Sequence, residues 1–125
     1  MTGALADTQA LLWWLSDDEQ LSARAREVIA KGEMRVYFSA ASVWEAEIKA
    51  AAGKLVMQDD LLEALEADGF IELAMTAWHA RDAARLPALH RDPFDRMIVA
   101  QARAEGLTVI TADPKVADYG AIVLW

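Results

Sequence analysis

The sequence predicts an α/β fold in which a mostly parallel sheet lies between layers of helices, an α/β/α sandwich. Short segments rich in β-branched and aromatic residues alternate with longer segments of helix-forming residues, a pattern typical of βαβ units. Helix-capping residues begin helical segments, and glycine or proline ends them. The chain of 125 residues is 55% hydrophobic, which is enough for one core but leaves too few residues for a second. We therefore expect one domain over residues 1–125.

Five segments are predicted to be strands. GALAD at residues 3–7 is short and apolar, and MRVYFS at residues 34–39 is β-branched and aromatic. FIELAM at residues 70–75 is the third, LTVITAD at residues 107–113 has the clearest strand pattern, and AIVLW at residues 121–125 is a short last strand. Because helices connect them, most of these strands are expected to run parallel. Ligands of such sheets bind beyond the carboxyl ends of the strands.

Six segments are predicted to be helices with recognisable ends. Ser39 or Ser42 caps the third helix and Gly53 stops it. Pro87 stops the fifth helix, and Pro93 occupies the first turn of the sixth. In chain order the six segments are TQALLWWLS, SARAREVIAKG, SAASVWEAEIKAAAGKL, DDLLEALEADG, TAWHARDAARLP and DPFDRMIVAQARAEG.

The composition excludes several classes of site. Without cysteine, the chain forms neither a disulfide nor a thiolate metal site. No apolar run approaches the roughly 18 residues that span a membrane, and residues 1–15 lack the basic start of a signal peptide, so we expect a cytoplasmic protein without membrane contact. The formal net charge of −8 argues against nonspecific nucleic-acid binding through a basic face. It remains compatible with a nuclease that gathers carboxylates around metal ions.

Acidic residues recur near the predicted carboxyl edge of the sheet. Asp7 ends the first strand and Asp113 the fourth, while Glu45 lies in the first turns of the helix after the second strand. Asp92 and Asp95 begin the sixth helix, three residues apart and therefore close together on its surface. Carboxylates that converge raise one another's pKa values unless a cation is bound. Oxygen ligands suit Mg²⁺ or Mn²⁺, and such metals can activate a water molecule that hydrolyses a phosphodiester.

Three of these acids also have an ordinary structural explanation. An aspartate before a helix commonly caps it, which applies to Asp7 and to Asp92. Glu45 and the nearby Glu47 are also explained as a solvated helix face. The recurrence of acids in four separate segments is what favours a metal site over these separate explanations.

Four segments follow one another along the chain: LADTQALLWWL, SAASVWEAEIKAAAGKL, HRDPFDRMIVAQA and VITADPKVADYG. In this order and at these separations they resemble the PIN-domain ribonucleases and, more narrowly, the VapC-type toxins of bacterial toxin–antitoxin pairs. The resemblance covers nearly the whole chain, and SAASVWEAEIK and DPFDRMIVAQA are its most specific parts. It implies a PIN-like α/β/α fold and an acidic site that cleaves RNA.

The resemblance also implies roles for particular residues and partners. Asp7, Glu45, Asp95 and Asp113 match the catalytic, metal-binding acids of the family and would hold Mg²⁺ or Mn²⁺, with Asp92 as an accessory candidate. A cognate VapB-type antitoxin, an RNA substrate and a homodimer are the implied partners. All four core acids are present, so nothing in this set indicates an inactive copy.

The segment LLWWL at residues 11–15 is apolar at five consecutive positions. A helix cannot turn all five toward one core, so three are expected in the core and the rest at a partner surface. That surface is expected to serve self-association or to bind an antitoxin helix. Stacking of Trp13 or Trp14 on an RNA base is the less favoured alternative.

Several other side chains near these segments are candidates for smaller roles. Thr8 and Thr111 are explained either as hydroxyl contacts to a metal-bound water or as ordinary caps. His90 is a less favoured candidate for a proton shuttle, His79 is expected to be structural, and Trp44 is expected in the core. Four basic residues flank the acidic segments and are explained equally well as phosphate contacts or as solvated charges: Lys49, Lys54, Arg91 and Arg96.

Other functions are compatible with an acidic α/β protein. A receiver-like signalling module would bind Mg²⁺ without cleaving RNA, but it requires an aspartate after a central strand and a lysine after a later one, and VITADPK has aspartate at the latter place. A catalytically silent PIN-like scaffold would bind only a partner. DNA is the alternative substrate, since metal-activated water hydrolyses either backbone.

Overall fold

The computed structural model describes residues 3–125, in which five strands form one sheet. The strand order is β3-β2-β1-β4-β5, and every neighbouring pair is parallel. The predicted α/β class with a mostly parallel sheet is therefore confirmed. Met1 and Thr2 of the predicted domain lie outside the described residues. The strands are β1 (Gly3–Ala6), β2 (Arg35–Ser39), β3 (Ile71–Leu73), β4 (Thr108–Ile110) and β5 (Val123–Leu124).

Six α-helices and one 3-10 helix connect the strands, in agreement with the six predicted helical segments. Ser39 is the N-cap of the third helix, since its hydroxyl accepts a hydrogen bond from the Ala41 N–H. Within residues 3–125, no helix is long and apolar enough to cross a membrane. The helices are α1 (Thr8–Leu15), α2 (Ala23–Lys31), α3 (Ala40–Ala51), α4 (Leu61–Ala67), α5 (Ala77–Arg85) and α6 (Pro93–Glu105), and the 3-10 helix is Pro114–Tyr119.

Helices cover both faces of the sheet, and the central strand β1 is therefore buried at every position. Ala4 and Ala6 belong to an apolar cluster that includes residues of α1, α2 and α4, whereas Leu5 points into a second cluster with residues of α6. Alternation of side chains along a strand produces these two layers. The register pairs Ala6 with Phe38 of β2 and with Ile110 of β4, which aligns the carboxyl ends of three strands.

The LLWWL segment is covered by other parts of the same chain. Leu11 is buried, and the following four residues are half-buried against the same cluster. The Trp13 ring lies 5.8 Å from that of Trp125, and the Trp14 ring lies 6.3 Å from that of Phe70. The surplus apolar surface predicted at this segment is therefore largely buried within the chain. The residues that cover it are Trp125, directly after β5, and Phe70, directly before β3.

Exposed apolar side chains lie instead on other segments, two of them on α3. Trp44 is 59% exposed and Ile48 is 44% exposed, so the expectation that Trp44 lies in the core is wrong. The buried side of α3 contains Ser42, Glu45 and neighbouring alanines, which turns Trp44 away from the sheet. Its ring meets the edge of Phe94, with centroids 5.5 Å apart.

Candidate active site

The predicted acids converge on one cavity of about 340 Å³ at the carboxyl edge of the sheet. Two of them follow the neighbouring strands β1 and β4, one lies on α3 directly after β2, and two lie at the start of α6. The parallel topology thus brings together residues that are far apart in the sequence. The acids and one lysine that line the cavity are Asp7, Glu45, Lys49, Asp92, Asp95 and Asp113.

Asp7 combines a structural and an electrostatic role. Its Oδ1 accepts a hydrogen bond from the Ala10 N–H at 2.9 Å, so the residue caps α1. Burial raises the pKa of Asp7, and the charges of Asp113 and Glu45 raise it further, whereas hydrogen bonds from Thr111 and Ala10 lower it. The cap explanation is therefore correct but incomplete, because the carboxylate also lies in an acidic and poorly hydrated site.

Glu45 is buried with one oxygen unsatisfied. Its Oε2 accepts a hydrogen bond from the Lys49 Nζ at 2.8 Å, one helical turn away. Its Oε1 is buried and has no hydrogen-bond partner among the described residues. A buried carboxylate oxygen without a partner is costly, and a divalent cation is a ligand that would satisfy it.

Asp95 lies among other acids at the start of α6. Burial and the charge of Asp92 raise the pKa of Asp95 to about 6, while His90 lowers it. The Oδ1 of Asp92 accepts hydrogen bonds from the N–H groups of Phe94 at 2.8 Å and Asp95 at 3.4 Å. Asp92 is thus the N-cap of α6, as its ordinary explanation predicted, and it also lines the acidic cavity.

His90 lies between two of the predicted acids. Its Nε2 is 2.8 Å from Oδ2 of Asp113 and 3.0 Å from Oδ2 of Asp95. One side-chain atom from each of these three residues falls within 4.8 Å of the other two. The sequence indicates only that His90 precedes the DPFDR segment. Its position between two acids depends on the loop from Leu86 to Arg91, for which no local sequence pattern exists.

The donor set fits a divalent metal ion. Carboxylate oxygens from four elements surround the cavity, which suits Mg²⁺ or Mn²⁺. The orphaned Oε1 of Glu45 and the raised pKa values of Asp7 and Asp95 are the features expected of a site whose negative charge is meant to be neutralised by a cation.

Most of the smaller candidates have structural partners. Arg96 donates to the carbonyl groups of five residues between Ala83 and His90, so it holds a loop and is not free to contact phosphate. The hydroxyl of Thr8 donates to Ser42 at 2.8 Å. His79 forms a capping box with Thr76 at the start of α5, which confirms its structural role.

Thr111 and Lys49 act within the cavity itself. The Thr111 hydroxyl accepts a hydrogen bond from the Asp113 N–H at 3.0 Å and also bonds Asp7, so it links the acids that follow β1 and β4. The hydrogen bond with Glu45 raises the pKa of Lys49, which keeps the ammonium group charged beside the acids. Lys49 thus has an acidic partner within the cavity, and the i, i+4 spacing of the pair in the predicted helix is the sequence signal for this contact.

A comparison with protein families identifies the family to which the chain belongs. Residues 4–122 match the model of the PIN domain. The chain belongs to the PIN domain family. This match confirms the family resemblance that the motifs predicted, and PIN domains are in general nucleases that typically use divalent metals. No curated protein sequence matches the chain.

Solved structures share the PIN fold over nearly the full length. A chain of the DNA-bound VapBC complex of Salmonella typhimurium has a TM-score of 0.73 at 19% identity, covering 99% of this chain and 98% of that chain. A chain of the Rickettsia felis VapBC2 complex, bound to a promoter DNA fragment, has a TM-score of 0.71 at 15% identity, covering 97% and 96%. A chain of a toxin–antitoxin complex from Klebsiella pneumoniae has a TM-score of 0.67 at 18% identity, covering 98% and 97%. At these identities the likeness establishes the fold.

Proposed function

We propose that this PIN domain protein is a metal-dependent endoribonuclease and the toxin of a VapBC-type toxin–antitoxin module. The observation that carries the proposal is the convergence of acids from four elements in one cavity, where Glu45 Oε1 lacks a partner among the described residues. The fold shared with chains of VapBC complexes supports the choice of toxin among PIN domain functions. We further propose that residues 1–125 act as one domain in the cytoplasm.

Four acids are proposed to hold Mg²⁺ or Mn²⁺: Asp7, Glu45, Asp95 and Asp113, with Asp92 as an accessory. The chemistry that the bound metal supplies is activation of a water molecule and stabilisation of the negative charge on the phosphodiester. The acids themselves would position the metal, and because the pKa values of Asp7 and Asp95 are raised, a bound cation would favour their ionised forms. Lys49, which pairs with Glu45 at the rim, is suited to attract a phosphate group.

The two proposed protein partners are a VapB-type antitoxin and a second copy of this chain. A VapB-type antitoxin that places a basic side chain in the cavity would compete with metal for the carboxylates, which gives inhibition an electrostatic basis. We assign the proposed homodimer contact to the exposed side chains of Trp44 and Ile48, together with the half-buried Phe94 ring against Trp44, because aromatic and aliphatic groups in contact at a surface are typical of interface cores.

The first test is cleavage of total cellular RNA by purified, antitoxin-free protein. We expect fragments with Mg²⁺ or Mn²⁺ and none with EDTA. Asp7→Asn and Asp95→Asn should abolish cleavage because each removes a charged ligand. Asn caps helices as well as Asp does, so Asp7→Asn keeps the start of α1 intact.

Asp60→Asn is the matched control for these variants. Asp60 caps α4 by accepting a hydrogen bond from the Glu63 N–H at 3.0 Å, but it does not line the acidic cavity. This variant should cleave RNA as the wild type does. A folded wild type that cleaves no RNA with either metal would favour the silent scaffold, and cleavage of DNA alone would reassign the substrate.

A further inference from the structure

His90 lies beside the acidic site, and the proposed function gives it no role. Its imidazole is 14% exposed and contacts Asp95 and Asp113 through the same nitrogen, Nε2, at 3.0 Å and 2.8 Å. Such a position is compatible with three roles: a metal ligand, a proton shuttle, or a hydrogen-bond donor that holds the acids in place. The other ring nitrogen distinguishes among them.

The hydrogen bond at Nδ1 fixes where the ring proton resides. The backbone N–H of Asp92 donates to Nδ1 of His90 at 3.2 Å. A backbone N–H can only donate, so Nδ1 carries no hydrogen and the proton of the neutral ring is on Nε2. His90 therefore donates from Nε2 to Asp113 at 2.8 Å, and the Asp95 carboxylate lies 3.0 Å from the same nitrogen. Histidines that bind metals show the opposite arrangement, in which the second nitrogen donates its N–H to an acceptor.

The same arrangement excludes a proton shuttle. A general base requires a free nitrogen lone pair within reach of the proton it removes. In His90 the lone pair on Nδ1 is engaged by the Asp92 N–H, and Nε2 carries the proton that is donated to Asp113. The ring thus has no free position from which to accept a proton.

The backbone of His90 is held as firmly as its ring. Its N–H donates to the Tyr119 hydroxyl at 2.7 Å, and its carbonyl accepts from Arg96 Nη1 at 3.1 Å. The other guanidinium contacts of Arg96 include the carbonyls of Ala83 at 2.9 Å and Leu86 at 2.8 Å. One arginine therefore ties the end of α5 and the following loop to the start of α6, and this fixes where the imidazole lies.

We propose that His90 is a positioning residue: its Nε2–H donates to Asp113 and lies beside the Asp95 carboxylate, and this bridge holds both carboxylates at the spacing needed for a divalent metal. Two carboxylates without a shared donor repel each other, so loss of the bridge lets them separate. This inference rests on the proposed metal-dependent function, because the bridge matters only if these acids bind metal.

The tautomer is tested directly by NMR on tag-free protein. The chain contains only two histidines, so long-range ¹H–¹⁵N correlation spectra resolve both rings, and the His90→Gln variant identifies the His90 signals. We expect the Nε2–H tautomer, retained when Mg²⁺ is added. An Nδ1–H tautomer, or loss of the Nε2–H on adding Mg²⁺, would overturn the bridge. The tautomer itself is read from the wild-type spectrum, and the variant serves only to assign the signals.

The positioning role is tested by Mn²⁺ binding in isothermal titration calorimetry. His90→Ala should raise the dissociation constant by about 10-fold or more, the usual effect of removing a hydrogen-bond partner of metal ligands. His90→Gln should restore most of the affinity, because the glutamine amide can donate to the same acids but cannot act as a base. Equal affinity of His90→Ala and wild type would overturn the inference, and so would a glutamine variant as weak as the alanine variant.

His79→Gln is the matched control for the loss of a histidine. His79 is buried in the capping box of α5, so its replacement should lower the melting temperature and leave the Mn²⁺ dissociation constant unchanged. A weaker Mn²⁺ affinity in this control would show that the effect of His90→Ala is merely structural. Wild-type protein that binds neither Mn²⁺ nor Mg²⁺ would overturn the proposed function itself, a result distinct from failure of the bridge alone.

Discussion

The acidic cavity has two sides that hold their carboxylates in opposite ways. On the side formed by α1 and α3, Glu45 is buried with one unpartnered oxygen, and burial raises the pKa of Asp7. On the side formed by α6 and the 3-10 helix, the side chains of Asp95 and Asp113 are 30% and 31% exposed and both lie within 3.0 Å of His90 Nε2. The first side therefore contains an oxygen without a partner among the described residues, whereas the Asp113 carboxylate on the second accepts from His90 and from the Lys115 N–H.

This difference indicates a division of labour within the proposed metal site. A buried carboxylate without a partner destabilises the folded chain, so the α1–α3 side gains most from a cation. The α6 side already has its geometry fixed by hydrogen bonds, which reduces the reorganisation needed on binding. We interpret the first side as the main source of binding free energy and the second as the preorganised template.

The largest expected effect is that of Asp7→Asn, a substitution on the α1–α3 side of the cavity. Asp7→Asn should reduce RNA cleavage about 100-fold or more. It should also raise the free energy of unfolding of the metal-free protein by about 1 kcal/mol, as removal of strained active-site charge commonly does. The measurement is urea unfolding at pH 7 in EDTA.

Asp113→Asn is the comparison on the other side. The Asp113 carboxylate accepts from His90 and from the Lys115 N–H at 2.9 Å, so an amide there loses an acceptor and places a donor near the imidazole. Its free energy of unfolding should fall by about 1 kcal/mol. Changes of the same sign in both variants would remove the distinction between the two sides.

The next effect is a pH dependence that arises from Asp95, whose pKa is raised by burial and by Asp92 to about 6. An unfolded aspartate titrates at about 3.9, so between these values the folded chain binds more protons. The stabilisation from this group is present in full below about pH 4 and is lost as pH rises through 6.

Metal binding should follow the opposite trend, because it requires the ionised carboxylate. With a pKa of about 6, the ionised fraction of Asp95 falls about tenfold from pH 7 to pH 5, and Mn²⁺ affinity measured by calorimetry should fall at least as much. Asp95→Asn should bind more weakly with a flatter profile. An unchanged profile would assign the titration to Asp7, whose pKa is raised as well.

The fold and the acid cluster were predictable because their signals are local. Caps such as Ser39 and Asp92 mark helix starts by side-chain bonds to residues two or three positions away. The parallel order of strands then brings Asp7 and Asp113 to one edge without any detailed knowledge of packing. Residue types at element ends therefore sufficed for this much of the site.

The features that the sequence did not predict depend on distant contacts. Helical periodicity indicates which residues share a face but not what covers it, and the cover of Trp13 is Trp125, at the other end of the chain. The position of His90 depends on Arg96 and Tyr119, which fix a loop without regular structure. Such contacts become visible only once the whole chain is folded.

The smallest expected effect concerns Lys49, the basic residue beside Glu45 on the α1–α3 side. Lys49 donates to Glu45 Oε2 at 2.8 Å, so its positive charge competes with a metal ion for the Glu45 carboxylate. Because the Lys49 side chain is 49% exposed, solvent and salt screen this charge. Lys49→Gln should therefore strengthen Mn²⁺ binding about threefold, within the range of exposed ion pairs, whereas His90→Ala weakens it. The gain should shrink in high salt. Lys54→Gln, an equal change of charge outside the cavity lining, should leave Mn²⁺ affinity unaltered; an equal gain in both variants would attribute the effect to net charge alone.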